Sequence, residues 1–176
     1  MFTSWAQPRC SPPVWRSPLD TSSVVPPEPG SRVYSFGYPR GAVESEHVTL
    51  DPHTTSGEVL EVYERGRDRA MLPHPCFHTN AVFDAGMSGG PVFNDAGQLV
   101  GLVSSSVPPD DDGPWSSYAS LLWPAFSTRL HMARADMAVS TEGHLALDLV
   151  RAGLLHLEGW ERIVVEPGDR PGLRMP

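Results

Sequence analysis

The chain has 176 residues, 40% of them hydrophobic, and a formal net charge of −8 at pH 7. This length supports one well-buried domain and is short for two. All thirteen cationic side chains are arginines scattered along the sequence, so no basic patch is present to bind a nucleic acid. No stretch approaches the roughly 18 apolar residues of a membrane span, and residues 1–15 lack the pattern of a secretion signal. We therefore expect no nucleic acid and no membrane as partners and a cytoplasmic location by default, and the oligomeric state stays open.

The cysteine content indicates neither a disulfide scaffold nor a metal site. Cys10 and Cys76 are far apart, and neither lies in a Cys-x-x-Cys or Cys/His spacing. Cys76 is expected to pack as a small apolar side chain. The sequence therefore predicts no bound metal and no other cofactor.

Residues 1–30 contain seven prolines and no period of apolar residues. Proline prevents helix formation and weakens a strand ladder, so this segment is predicted to be an extended lead or linker. Its only carboxylates are Asp20 and Glu28, and it holds no histidine.

From Ser31 onwards the pattern is that of short strands. Residues 32–36 are rich in aromatic and β-branched side chains, residues 58–63 alternate polar and apolar positions, and residues 76–83 follow after further glycine and proline. Several strands separated by turn residues, with no helix between them, indicate an antiparallel barrel or sandwich.

The next stretch places Ser88 between Gly86-Met87 and Gly89-Gly90. A nucleophilic serine needs such a glycine-lined turn, because bulkier neighbours would block both the acyl carbon and the N–H groups that bind the developing oxyanion. A plain glycine turn between two strands is the alternative, since glycine and serine are also common turn residues. Residues 94–106 then supply a turn and an apolar strand that ends in small polar residues.

The order Gly-Met-Ser-Gly-Gly-Pro-Val closely resembles the nucleophile loop of trypsin-like serine peptidases of the chymotrypsin fold. Two more segments match in the family's order: residues 33–39, which end in Gly37-Tyr38-Pro39, and the strand at residues 99–106. The resemblance implies an all-β fold, with an antiparallel β-barrel of the chymotrypsin type that corresponds to the family's second barrel only and a C-terminal α-helix. It divides the chain into a lead (1–30), the barrel (31–128) and a tail (129–176).

The resemblance also implies a site for a peptide or protein substrate. Ser88 would be the nucleophile, and the backbone N–H groups of Gly86 and Ser88 would form the oxyanion hole. The residues assigned to substrate binding are Val82, at the base of the specificity pocket, and Val103, Ser104, Ser105 and Ser106. With Val82 at that base, small or apolar substrate side chains are expected on the acyl side of the cut.

The segments after this strand complete the expected architecture. The acidic loop at residues 110–112 is expected to be a solvated turn, with attraction of basic substrates as the less favoured alternative. Residues 115–123 resemble the strand that closes the far side of the pocket. Ser140 or Thr141 begins a predicted amphipathic helix, whose apolar stripe is Leu145, Leu149, Ala152 and Leu155.

The catalytic base is missing from its expected place. A serine hydroxyl needs a histidine to take its proton and a carboxylate to orient that histidine. In the family both precede the Gly-Tyr-Pro turn, where this chain has no histidine and where Asp20 does not match the family's aspartate motif. The seven histidines all follow the turn, and none occupies the base position: His47, His53, His74, His78, His131, His144 and His156.

Two interpretations stay open. In the first, the chain is the C-terminal part of a trypsin-like serine endopeptidase, lacks the histidine and aspartate of the triad, and is inactive alone. In the alternative, it is a catalytically inactive barrel that binds peptides or proteins. The intact glycine turn favours the first, because a barrel without a catalytic task has no need of an unobstructed oxyanion turn.

Overall fold

The computed structural model describes residues 22–44, 47–108, 115–131, 143–166 and 172–176. Most of the predicted lead, the acidic loop at residues 110–112 and the predicted helix start at Ser140 or Thr141 lie outside these described residues. The strands are β1 (Ser22–Ser23), β2 (Arg32–Glu44), β3 (His47–Tyr63), β4 (Cys76–Thr79), β5 (Pro91–Asn94), β6 (Leu99–Val107), β7 (Ser116–Leu121), β8 (Arg129–Leu130), β9 (His144–Leu145), β10 (Leu157–Glu158), β11 (Val164–Glu166) and β12 (Gly172–Arg174). The helical elements of the described residues are α1 (Ala146–Arg151) and the 3₁₀ turns Trp123–Ser127 and Trp160–Arg162.

Six of the described strands close into an antiparallel barrel in the order β2-β3-β4-β7-β6-β5. The ring is complete because β5 pairs back onto β2, with Val33 opposite Asn94 and Ser35 opposite Val92. This architecture confirms the all-β antiparallel barrel that the sequence predicts.

Strand β2 shows how the sequence sets the barrel wall. Its side chains alternate, so that Val33, Ser35 and Gly37 are buried while Tyr34 and Phe36 are exposed. Two-residue periodicity of this kind is what a strand with one face on the core requires. The register with β3 shifts between Gly37 and Arg40, where Pro39 lies in β2 and Pro52 in β3. Because proline has no N–H to donate to the ladder, an irregularity is expected there.

The core of the barrel consists mainly of small and medium apolar side chains, together with a few large rings. Phe77 on β4 is fully buried, and each side chain of this size buried in full stabilises the fold by about 1.5–3 kcal/mol. The other strand residues of this core include Val33, Val59, Val92, Val103 and Ala119. Ser35 is also buried, and its hydroxyl donates to the carbonyl of Pro91 at 2.8 Å, so this polar group has a partner.

The C-terminal α-helix is present but shorter than the sequence pattern predicts, and its buried face differs. Helix α1 has six residues and buries Leu147 and Val150, whereas Leu149 and Leu155 are only half-buried and Ala152 is exposed. The N–H of Leu145 donates to the Asp148 carboxylate at 3.0 Å, which fixes the start of the helix. The chain then leaves the helix for β10, so Leu155 does not share a face with Leu145.

Both ends of the described chain pack along the barrel. Strand β1 lies parallel to β10 and to β6, with Ser22 opposite Leu157 and Leu99. Val24, within the predicted lead, is buried in the same core cluster as Leu157. Among the described helices, none is long and apolar enough to cross a membrane.

Candidate active site

The loop that carries Ser88 leaves strand β4 along a segment fastened to β3. The side-chain oxygen of Asn80 accepts the N–H of Glu58 at 2.7 Å, and the N–H of Asn80 donates to the carbonyl of Glu58 at 3.2 Å. Gly57 makes this close approach possible, because a Cβ there would lie 2.3 Å from the backbone nitrogen of Ala81. The start of the loop is therefore held by main-chain packing rather than by a side-chain cluster.

The segment Gly37-Tyr38-Pro39, which the sequence predicts to be a turn, lies within strand β2 at its register shift against β3 and packs against the nucleophile loop. A Cβ on Gly37 would lie 3.0 Å from Cγ of Met87, whose side chain is 1% exposed. A Cβ on Gly86 would lie 3.1 Å from Cα of Pro39, and the φ of Gly86 is 96°, a region that favours glycine. Two of the three segments that carry the family resemblance are thus in direct contact.

Hydrogen bonds fix the loop around Ser88 at three points, and several other N–H groups of the loop have no acceptor among the described residues. Met87 donates to Asp84 at 3.0 Å, Gly89 to Val103 at 2.8 Å and Gly90 to Met87 at 2.8 Å. Within the described residues, the N–H groups of Gly86 and Ser88 donate to no acceptor. Ser88 itself is exposed. These are the two donors that the sequence assigns to the oxyanion hole, and that role stays a prediction.

Ser88 borders a cavity of about 280 Å³. Its lining comes from the nucleophile loop, from the end of β6 and from the start of β7, and comprises Phe83, Asp84, Ala85, Ser88, Val103, Ser105, Ser106, Pro108 and Trp115. On the far side, the hydroxyls of Ser106 and Ser117 are 2.7 Å apart, which ties β6 to β7.

Three of the five residues assigned to substrate binding line this cavity, namely Val103, Ser105 and Ser106. Ser104 does not, because the register of β6 against β7 shifts between Val103 and Ser105 and leaves Ser104 in the irregularity. Val82 is half-buried and is also absent from the lining, where Phe83 and Asp84 lie instead. That any of these residues binds substrate stays a prediction.

The sequence pattern did not single out five of the lining residues as site residues: Phe83, Asp84, Ala85, Pro108 and Trp115. A usable signal existed for three of them. Phe83 and Asp84 directly follow Val82, so an alignment of the pocket base shifted by one or two residues would have assigned them to the cavity. Trp115 is the first residue of the segment 115–123 that resembles the closing strand of the pocket, and it lies in the lining just before β7 begins at Ser116.

No described histidine side chain hydrogen-bonds to Ser88. His53 Nε2 lies 3.6 Å from the Asp84 carboxylate, with the two side chains 45% and 33% exposed. His78 Nε2 is 2.9 Å from Oγ of Ser116, and His74 Nε2 is 2.8 Å from Oγ of Ser120. The side chain of His47 and the whole of Asp20 lie outside the described part of the chain. The described histidines are thus bonded elsewhere or solvent-facing.

The described residues offer no metal centre. No group of three or more His, Cys, Asp or Glu side chains among them is arranged to hold a metal ion. Cys76 is fully buried, and burial raises the pKa of its thiol above the ordinary value. Its side chain therefore packs as an apolar group.

Comparison with protein families agrees with the barrel fold. The family model of the trypsin-like peptidase domain matches residues 9–102, which is 94 of the 176 residues. The chain belongs to the trypsin-like peptidase domain family. The matched region contains the whole Ser88 loop and ends within β6, before Ser104.

Among solved structures, this trypsin-like domain is similar to one of Rv3671c from M. tuberculosis H37Rv, the inactive form of a serine-to-alanine mutant. The two share 22% identity with a TM-score of 0.38, over 55% of this chain. The match spans 44% of the length of that protein's chain. The search among curated proteins found no match.

Proposed function

We propose that this trypsin-like domain carries the nucleophile of a serine endopeptidase, with Ser88 as the attacking residue. One observation carries the proposal. The N–H groups of Gly86 and Ser88 have no acceptor in the described protein, although those of Met87, Gly89 and Gly90 beside them are all bonded. Both residues are exposed, so the two donors beside the Ser88 hydroxyl are free to bind the oxygen of a substrate carbonyl in place of water.

The chemistry follows from where these groups lie. Oγ of Ser88 attacks the carbonyl carbon of the scissile bond, and the carbonyl oxygen gains the negative charge of a tetrahedral intermediate. Gly86 and Ser88 donate hydrogen bonds to that oxygen. Loss of one such donor costs about 100- to 1,000-fold in turnover. Collapse of the intermediate releases the amine and leaves an acyl ester on Ser88, which water then hydrolyses.

Strand β6 supports a peptide as the substrate. Up to Leu102 it pairs with β5, and from Ser105 to Val107 it is paired with β7 on one side. The opposite edge of this last part has no strand partner among the described residues. An extended peptide can add to such an edge through main-chain hydrogen bonds and pass Ser88.

The proton of Ser88 still needs an acceptor. Because no described histidine hydrogen-bonds to Ser88, we assign the base and its carboxylate to groups outside the described residues. Loss of the base alone costs about a million-fold in turnover in a well-studied serine protease. Turnover by this chain alone is therefore expected to be negligible.

Chemical rescue tests this proposal on the full chain. Ser88 labelling by a fluorophosphonate is followed by peptide mass spectrometry in buffer, in imidazole, and in pyrazole, which has imidazole's shape but is a much weaker base. We expect slow labelling that imidazole accelerates several-fold and pyrazole does not. Ser88→Ala removes the labelled peptide, and Ser31→Ala, a matched change far from the loop, leaves the rate unchanged.

The alternative function is a catalytically inactive, peptide-binding barrel. It is favoured by the same lack of a histidine at Ser88, combined with an intact cavity and strand edge. No labelling of Ser88 above that of other serines, even in imidazole, would support it and end the peptidase proposal. Fast, stoichiometric labelling without imidazole would show that the chain holds its own base, and His53→Gln would then be the first variant to examine.

A further inference from the structure

The outer side of the barrel wall at β2 carries exposed aromatic side chains. Tyr34, Phe36 and Tyr38 alternate with buried residues along this strand, and they are 36%, 42% and 48% exposed. Within the described part of the chain, no other phenylalanine, tyrosine or tryptophan is as exposed as these three. Their gathering on one side of one strand differs from the scattered apolar residues of an ordinary protein surface.

The neighbouring strands extend this apolar surface. Phe93 of β5 is paired with Tyr34, and its ring is stacked on that of Phe36 with centroids 6.4 Å apart. Leu102 of β6 is 39% exposed and is paired with Pro91, which lies two residues before Phe93 and so on the same side of β5. The aromatic face, as we call this surface, comprises Tyr34, Phe36, Tyr38, Phe93 and Leu102. A contiguous apolar surface across three strands is typical of a site that another segment or molecule covers.

Residues 1–21, which precede the first described residue, have a composition that suits the aromatic face. They contain four prolines and three aromatic residues, namely Pro8, Pro12, Pro13, Pro18, Phe2, Trp5 and Trp15. Proline-rich segments favour an extended conformation, so they lose little entropy on binding, and they bind surfaces lined with aromatic side chains. The aromatic face is a surface of this kind.

The end of this segment lies close to the aromatic face. Ser22 is paired with Leu99 of β6, and Leu99 is paired with Phe93 on its other side. Neighbouring strands lie about 4.8 Å apart, so Ser22 is about 10 Å from Phe93. Extended chain advances about 3.3 Å per residue, so Pro18, four residues before Ser22, already reaches this distance.

The charges of the two parts are complementary. Residues 1–21 contain two arginines, Arg9 and Arg16, and one aspartate, whereas the rest of the chain has eleven arginines and twenty acidic residues. One of these carboxylates lies at the edge of the aromatic face, because Asp95 accepts a hydrogen bond from the hydroxyl of Tyr34 at 2.9 Å. A cationic segment is therefore attracted to this side of the barrel.

We propose that residues 8–19 of this chain pack along the aromatic face, with proline rings and the Trp15 indole against the stacked rings of Phe36 and Phe93. The docked segment lies beside the nucleophile loop, because the carbonyl oxygen of Phe36 would be 3.0 Å from a Cβ on Gly90. The proposal goes beyond the peptidase function proposed above and does not depend on it. It gives the predicted proline-rich lead a binding surface on its own domain.

Paramagnetic NMR on the full chain tests the proposal, with a nitroxide attached at Cys10. Cys76 is fully buried, and burial raises the pKa of its thiol, so a thiol-specific label does not modify it. We expect the amide signals of Phe36, Phe93 and Leu102 to broaden, whereas the signal of Met71, between β3 and β4, keeps its intensity. The same signals should broaden when the label is moved to Ser4→Cys in a Cys10→Ser chain, outside the packed residues.

A mixed sample distinguishes this segment from a second copy of the chain. Spin-labelled chain without ¹⁵N is mixed with ¹⁵N-labelled chain that carries Cys10→Ser and no spin label. Docking within one chain leaves the signals of the mixture unchanged. Broadening of the aromatic face in the mixture would identify a second copy as the occupant and overturn the proposal.

Matched variants locate the contact. Leu102→Ser and Phe36→Ser each remove apolar surface from the aromatic face and should lower the docking equilibrium constant about fivefold or more. Leu154→Ser makes the same change as the first at a position 69% exposed in the C-terminal segment, and should change docking less than about twofold. The same spectra report whether each variant is folded.

The proposal is overturned if the signals of the aromatic face keep their intensity in the spin-labelled chain. It is also overturned if the broadening is the same in the parent, in Leu102→Ser and in Phe36→Ser. In that case the label is merely near the barrel because residues 1–21 are attached at Ser22.

Discussion

The imidazole of His78 is held on the outer side of the barrel wall by strand β7. Its ring stacks on that of Tyr118 with centroids 4.9 Å apart, and its Nε2 lies 2.9 Å from Oγ of Ser116. The guanidinium of Arg67 lies 4.6 Å from the centroid of the Tyr118 ring. Burial holds the pKa of His78 below its ordinary value, and the positive charge of Arg67 acts in the same direction while Glu61 opposes it. The fold therefore favours the neutral imidazole.

This preference predicts a pH dependence of stability. The unfolded chain takes up the proton on His78 near pH 6.5, about the ordinary value, and the folded chain takes it up at a lower pH. The stabilising contribution is complete above about pH 6.5 and is lost as the pH falls from there to the folded pKa. In urea unfolding at a series of pH values, His78→Gln should flatten this part of the curve. It should also cost about 0.5–1.5 kcal/mol at neutral pH through the lost stacking.

The control for the His78 experiment is His156→Gln, because His156 is exposed. That variant should follow the parent chain at every pH. If His78→Gln and the parent lose stability in parallel from neutral to acidic pH, His78 does not carry the effect.

At the scale of single elements, the contact between β3 and the segment that leads to Phe83 decides the shape of the cavity. The backbone of Gly57 in β3 packs directly against the backbone of Ala81, and the side-chain oxygen of Asn80 accepts a hydrogen bond from the N–H of Glu58 beside this contact. We call this contact the junction. Both Phe83 and Asp84 lie in the next few residues. The position of the cavity wall therefore depends on a glycine in a different strand.

Gly57→Ala tests this dependence. A Cβ 2.3 Å from the Ala81 nitrogen must push the segment away, and overpacking of this kind costs about 3 kcal/mol. We expect a lower thermal midpoint and, in whatever fraction stays folded, shifted amide NMR signals of Phe83 and Asp84. The comparison variant is Gly97→Ala, where no atom lies within 4 Å of the added Cβ and only the φ of 73° is unfavourable, at about 1 kcal/mol. Equal shifts of the Phe83 and Asp84 signals in the two variants would show that the junction does not shape the cavity.

At the scale of the whole molecule, the C-terminal segment shares one core with the barrel. Leu147 and Val150 of α1, together with Leu157 and Ile163, belong to the same buried cluster as Phe77 and Val103. Elements that bury their apolar faces against one another unfold together, since neither keeps its core alone. The described chain should thus behave as one cooperative unit.

Leu147→Ala should lower the free energy of unfolding by about 2–5 kcal/mol, because Leu147 is fully buried. Leu154→Ala is the matched change at a position 69% exposed and should cost under about 0.5 kcal/mol. Urea unfolding followed by far-UV circular dichroism and by tryptophan fluorescence should give coincident curves for the parent and for both variants. Two separate transitions, with Leu147→Ala shifting only one, would show that the tail folds independently.

Several features of the fold and the site depend only on residues that are adjacent in the sequence, and the sequence alone predicts these features. The alternation of Val33, Tyr34, Ser35 and Phe36 gives a strand with one buried face whatever it pairs with. The glycines around Ser88 predict an open turn because they act through their own lack of a side chain. The family motifs predict a chymotrypsin-type barrel for the same reason, because each motif is a short run of residues that can be recognised without knowledge of the tertiary contacts.

Other features depend on which elements meet, and only the tertiary structure decided them. Asp84 lines the cavity and Val82 does not, in a segment whose start packs backbone to backbone against Gly57 of β3. Ser104 is left out of the cavity by a register shift against β7, a strand that begins twelve residues later. Leu149 fits the predicted helical stripe, yet Leu147 and Val150 of the six-residue helix α1 are the side chains that pack into the core cluster shared with the barrel. Periodicity is a property of one segment, whereas the contents of a cavity depend on the packing of several.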